Sequence, residues 1–130
     1  MELGSRSSRG FTLIELMMVM VIIGILVTVL IPRWASARDR AYVAAMTSDL
    51  RNLATAEESY YYDYAVYAPG VGLLPAYNAT AGTSIAINEA TQGGWSATST
   101  SINSQKHCSL FVGNAAPVGA ATQEGRAACQ

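Results

Sequence analysis

From Phe11 to Ile31 the chain is an almost unbroken run of Leu, Ile, Val and Met, with Glu15 its only formally charged side chain and Pro32 closing it. Twenty-one residues rising ~1.5 Å each span roughly 31 Å, the thickness of a bilayer core. In lipid such a segment satisfies its backbone groups only as a helix, so 11–31 is expected to be a transmembrane helix. Gly24 and Thr28 interrupt the run, and Gly24 allows another helix to approach closely. Pro32 brings no N–H and crowds the Thr28 carbonyl, so a kink is expected between Gly24 and Pro32. Glu15 is the anomaly. An isolated carboxylate is expensive to bury in an apolar medium, so it needs a partner or a task.

After Pro32 the pattern becomes amphipathic. Met46, Leu50, Leu53, Glu57, Tyr60 and Tyr64 recur at steps of three and four, one helical stripe interrupted by Glu57. Trp34, Ala37, Ala41 and Ala45 form a second stripe of mostly small residues. The expectation is one helix running to about Tyr62, with one stripe toward the chain's own head and the other available to neighbouring helices. Tyr60, Tyr61, Tyr62, Tyr64 and Tyr67 crowd the end of this helix. They read either as packing of the head onto the helix, the ordinary use of such side chains, or as an aromatic path or stacking surface.

Pro69-Gly70, Gly72, Pro75 and Asn78 mark a loop. Beyond it, 83–89, 95–101 and 109–112 read as short strands, with Gly93-Gly94 turning the chain before Trp95. The tail from Gly113 to Gln130 reads as loop. The organisation expected is therefore 1–10 as a short polar segment, 11–31 as the apolar helix, 32–64 as its amphipathic continuation and 65–130 as a small β-rich head. The fold class is α+β, a long N-terminal helix packed on a small antiparallel sheet.

Composition narrows the chemistry. The net charge of −1 offers no basic surface of the size nucleic acid demands. The cysteines, Cys108 and Cys129, lie far beyond the apolar run, and His107 is the only histidine. A metal site wants three or four such ligands, so an oxidised Cys108–Cys129 pair is the better reading, which implies an oxidising compartment. Past about Tyr62 the acids are Asp63, Glu89 and Glu124, too scattered for calcium. With one histidine, no phosphate-binding glycine loop and no zinc spacing, neither an enzyme nor a cofactor nor a metal site is expected.

The stretch Gly10-Phe11-Thr12-Leu13-Ile14-Glu15-Leu16, behind a short leader with Arg6 and Arg9, resembles the class III signal of type IV pilins and pseudopilins. The resemblance covers about the first third of the chain. It implies cleavage by a prepilin peptidase between Gly10 and Phe11, N-methylation of Phe11, and use of Glu15 to dock the subunit into a helical filament. Loss of Met1–Gly10 takes away Glu2, Arg6 and Arg9 and leaves six basic and eight acidic side chains. A secretory signal would be cut after its apolar region; here the apolar helix stays. The implied life history starts as a single-pass inner-membrane protein, N-terminus cytoplasmic and head outside, and ends as an extracellular or periplasmic filament. The implied partners are copies of the chain, the peptidase, an inner-membrane platform protein and an assembly ATPase. A pilus subunit is favoured over a type II secretion pseudopilin, because no acidic calcium cluster is visible and a terminal cysteine pair is present. A membrane-anchored binding module is the reading from another class, but a plain anchor has no use for Glu15.

Overall fold

The computed structural model describes residues 10–130, with Pro32 as backbone only; the expected leader therefore lies, but for Gly10, outside the described residues. A single helix, α1, spans Leu13–Tyr64 and is helical through Pro32. A 3-10 turn follows at Val71–Leu73, and then four strands: β1 Thr83–Ala90, β2 Gly94–Ser101, β3 His107–Gly113 and β4 Ala128–Cys129. They form one antiparallel sheet in the order β1-β2-β3-β4. The architecture is α+β, as the pattern predicts. Two compact units divide the chain, one ending at Ser36 and the other spanning Ala37–Gln130.

The second unit is built by two periodicities. Along α1, Met46, Leu50, Leu53 and Glu57 are fully buried, which makes the stripe read from the sequence the core-facing face. In the sheet the period is two. The register sets Trp95 opposite Val112, Ala97 opposite Leu110 and Ser99 opposite Cys108. These side chains share the face that packs with Met46, Leu50 and Leu53, joined from β1 by Ile85 and Ile87. The alternate face carries Ser96 opposite Phe111. It is buried too, because Phe111 packs with Ala115 and Ala121 of the tail.

The strands match the expected ones within two residues at each end. Gly94 and Gly113 are required where β2 and β3 meet: a Cβ on Gly94 would lie 2.4 Å from the Val112 carbonyl oxygen, and Gly113 has φ +67° with a Cβ there 2.1 Å from the Gly93 carbonyl oxygen. The tail differs from expectation. Instead of a loop throughout, it returns to the sheet as β4, with Cys129 opposite Cys108 and Ala128 opposite Ser109. Backbone bonds of 3.0 Å in both directions between His107 and Gln130 extend that pairing. A two-residue strand has no pattern of its own to read.

Candidate functional site: an apolar helix with one carboxylate

In the first unit, Leu13–Ile31 has apolar side chains on every face of the helix, and none is covered. Even the least exposed of the large ones, Val27, keeps 42% of its surface open. α1 is long and apolar enough to cross a membrane. Such a surface belongs in lipid or against other helices. A Cβ on Gly24 would meet nothing within 4 Å, so the chain's own packing does not require glycine there. Thr28 satisfies its hydroxyl locally, donating to the Ile25 carbonyl at 2.7 Å, as a polar side chain in an apolar medium must.

Glu15 sits in the first turn of α1. Its Oε2 accepts from the Thr12 backbone N–H at 2.9 Å and from the Thr12 hydroxyl at 2.8 Å. The Thr12 hydroxyl in return accepts from the Glu15 N–H at 3.3 Å, and the Thr12 carbonyl accepts the first helical bond, from Leu16 N–H at 3.2 Å. Thr12 is thus the N-cap and Glu15 the third residue of a capping box, in which two orphan N–H groups are satisfied reciprocally. This role is absent from the sequence reading, although Thr-x-x-Glu ahead of an apolar run is its signature. The carboxylate also favours the positive end of the helix dipole. Both bonds that the carboxylate accepts use Oε2. Gly10 and Phe11 precede the cap, in non-helical backbone and exposed.

The second unit holds the remaining singled-out residues, away from any common site. Cys108 and Cys129 are joined, with S–S 2.00 Å, and the Thr47 hydroxyl lies 3.6 Å from Cys129 Sγ. His107 contacts the Gln130 side chain at 2.9 Å. The tyrosines form two pairs, Tyr60 with Tyr64 at 4.4 Å and Tyr61 with Tyr67 at 4.7 Å between ring centroids. Tyr60 packs against the core, while Tyr62 is 89% exposed.

Two buried carboxylates clamp loops to the helix. Glu57 Oε2 accepts from the buried Ala68 N–H at 2.7 Å, and Oε1 has no partner. Burial pushes the Glu57 carboxyl above its ordinary value, and the neighbouring Glu58 charge adds to this despite the Ala68 bond. Asp49 accepts from the Thr80 N–H at 3.0 Å, the Thr80 hydroxyl at 2.7 Å and the Thr83 hydroxyl. Its partners stand some thirty residues away, so sequence spacing gives no sign of this clamp. The nearby Tyr77 hydroxyl is pushed up to about 12 by burial and by the Asp49 charge. No group of three or more metal-ligating side chains stands together among the described residues.

The family described as the prokaryotic N-terminal methylation motif matches residues 5–31. Over 71 residues the chain is 38% identical to the type IV major pilin protein PilA of Myxococcus xanthus, covering 52% of this chain and 32% of that protein. It is 44% identical over 69 residues to the type IV wide pilus major component PilA4 of Thermus thermophilus, covering 53% of each. It is also 40% identical over 62 residues to the type II secretion system core protein G of Pseudomonas aeruginosa, covering 48% of this chain and 44% of that one. The matched part spans about half of the chain, and between about a third and a half of these relatives.

Proposed function

We propose that the chain, whose N-terminal segment is similar to those of type IV pilins and pseudopilins, is a member of that family and the structural subunit of a type IV pilus-like filament. It is made as a prepilin, cut between Gly10 and Phe11 by a prepilin peptidase, and N-methylated at Phe11. Before assembly the apolar helix is held in the inner membrane with the head outside, where the Cys108–Cys129 bond is stable. Assembly, through a platform protein and an ATPase, moves the helix from lipid into a bundle of its own kind. Both media are apolar, so the gain comes from side-chain packing and from pairing Glu15. Gly24 then serves helix–helix approach. The Thr28 carbonyl, deprived by Pro32 of its usual donor, marks where the helix bends.

The single observation that carries this reading is the wholly uncovered apolar stretch Leu13–Ile31 with one carboxylate at its start, both of whose bonds run through Oε2. Cleavage would create a basic amine one residue before the cap. The amine of one subunit beside Glu15 of another would neutralise two charges otherwise buried alone, and so would set the axial stagger of the bundle. The type II secretion pseudopilin is the second reading, favoured by the 40% identity to core protein G; it assembles by the same chemistry but stays periplasmic.

Sheared cell-surface filaments are the test. Their major protein should begin at methylated Phe11 by intact mass. A chain that keeps Met1–Gly10, or is cut after Ile31, overturns the proposal. Mature chain confined to the periplasm selects the pseudopilin.

A further inference from the structure

The second unit has unlike ends. At one end, the last turns of α1 and the 3-10 turn enclose a concavity of about 210 Å³ walled by Tyr60, Tyr64, Leu73 and Pro75 and including Asp63. Tyr64 and Leu73 keep 63% and 50% of their surfaces exposed. At the other end, the turn between β2 and β3 lifts Ile102 into solvent, 84% exposed. That turn is tied to the middle of α1, where the second unit begins: the Ser104 hydroxyl donates to Asp39 Oδ1 at 2.6 Å, and the Lys106 ammonium lies 3.1 Å from Asp39 Oδ2. Asp39 and Asp63 stand on one helix with a rise of ~1.5 Å per residue, so the two ends are roughly 36 Å apart. Ile102 cannot reach the concavity of its own copy.

A lone exposed isoleucine carries nothing by itself; its complement at the far end does. Charge divides along the same axis. Lys106 is paired with Asp39, and Arg38 and Arg40 flank Asp39 on α1, whereas from Asn52 to Gln105 there is no Lys, Arg or His. The concavity's end therefore presents Glu58 and Asp63 without a basic neighbour in that stretch. Complementary patches at opposite ends of one body make a heterologous contact, which propagates into an open filament rather than closing as a dimer.

We propose that Ile102 of one copy seats in the Tyr60–Tyr64–Leu73–Pro75 concavity of a second copy, with the end that carries Arg38 and Arg40 toward Asp63. This rests on the filament reading above and adds to it a head-to-head contact separate from the N-terminal helix bundle.

Full-length Ile102→Cys and Leu73→Cys chains, one carrying a mass tag, are co-expressed and treated with a short bis-maleimide. Sheared filaments should yield the mixed dimer, while filaments of either variant alone should not. Filaments that form from the mixture yet contain no mixed dimer overturn the contact and leave the filament reading intact. Absence of filaments from the unaltered chain overturns both. Coupling of Leu73→Cys only to a chain of another mass gives the concavity a different occupant and overturns the proposal. If the cysteine variants do not assemble, Ile102→Asp decides. A several-fold loss of filament with an unchanged melting temperature supports the contact, and an undiminished yield overturns it.

Discussion

Removing the Cys108–Cys129 bond tests how the head holds its tail. Residues 114–127 cross the outer face of the sheet and bury few large side chains there; Ala115 and Ala121 are the apolar residues they place against Phe111. β4 is two residues long. The bond closes a sequence separation of 21, for which the chain-entropy relation gives about 3 kcal/mol at 25 °C. Cys108 is fully buried, so Cys108→Ala with Cys129→Ala is the appropriate pair, since serine would bury a hydroxyl. For a unit of this size each kcal/mol moves the melting temperature by about 4–8 °C, and the expected fall is about 12–24 °C. The assay is near-ultraviolet circular dichroism of the full chain in detergent, where fully buried Trp95 reports tertiary packing. Reduction of the unaltered chain should reproduce the effect. A fall under about 4 °C, worth only about 1 kcal/mol, would mean that the His107–Gln130 pairing and the tail contacts hold β4 unaided, and the argument would fail.

Glu57 should give the head an inverse pH dependence. Its folded carboxyl lies above the ordinary value of 4.5, so its contribution is complete below that value and lost as pH rises through the folded one. Urea midpoints should fall over that window in the unaltered chain and stay flat in Glu57→Gln, and equal slopes would refute this. Asp39, held low by the Ser104 hydroxyl and then by Lys106, acts in the opposite sense and only in more acid solution, below about its ordinary 3.8. Asp49→Ala should cost about 2–3 kcal/mol in urea unfolding, because it strips the acceptor from the Thr80 N–H and hydroxyl, while the Thr83 hydroxyl keeps the Thr80 carbonyl; a loss under about 0.5 kcal/mol would deny the clamp a structural role. Glu15→Leu should insert and be cleaved yet assemble poorly, and Glu15→Gln should also assemble poorly, whereas Thr12→Val, which keeps the charge, should assemble better than either. Filament yield against the membrane pool measures this, and normal yield from Glu15→Leu would remove Glu15 from docking.

What the sequence made legible follows from the range of each interaction. The uncovered helix is a composition signal, and the Met46–Leu50–Leu53–Glu57 stripe is a local period; both survive without tertiary knowledge. β1 and β2 were bounded closely because Thr83–Ile87 alternates and Gly93-Gly94 breaks the chain. β4 was hidden, since its two residues are strand only by pairing with β3. Buried Asp49 was hidden for the same reason, with partners thirty residues on. The second buried cluster was hidden because Ala115 and Ala121 are too small to stand out as core. The Thr12–Glu15 cap is local, written as Thr-x-x-Glu ahead of an apolar run, but the expense of a charge in lipid points past the nearest hydroxyl to a distant partner.

The cap changes what Glu15 has to do. In water, the first N–H groups of a helix cost little when unpaired; in lipid each unsatisfied one costs several kcal/mol. By binding the Thr12 N–H and hydroxyl through one oxygen, Glu15 removes part of that cost for its own chain before any partner arrives. In the filament proposed above, the other oxygen would be the one to meet a cation, the partner that an apolar medium makes most favourable. Charge alone would be served by an aspartate, and capping alone by a glutamine. Under the docking proposed above, both tasks at one position ask for a carboxylate on a side chain long enough to reach back to Thr12, and the one acid between Phe11 and Ile31 is a glutamate three residues after that threonine.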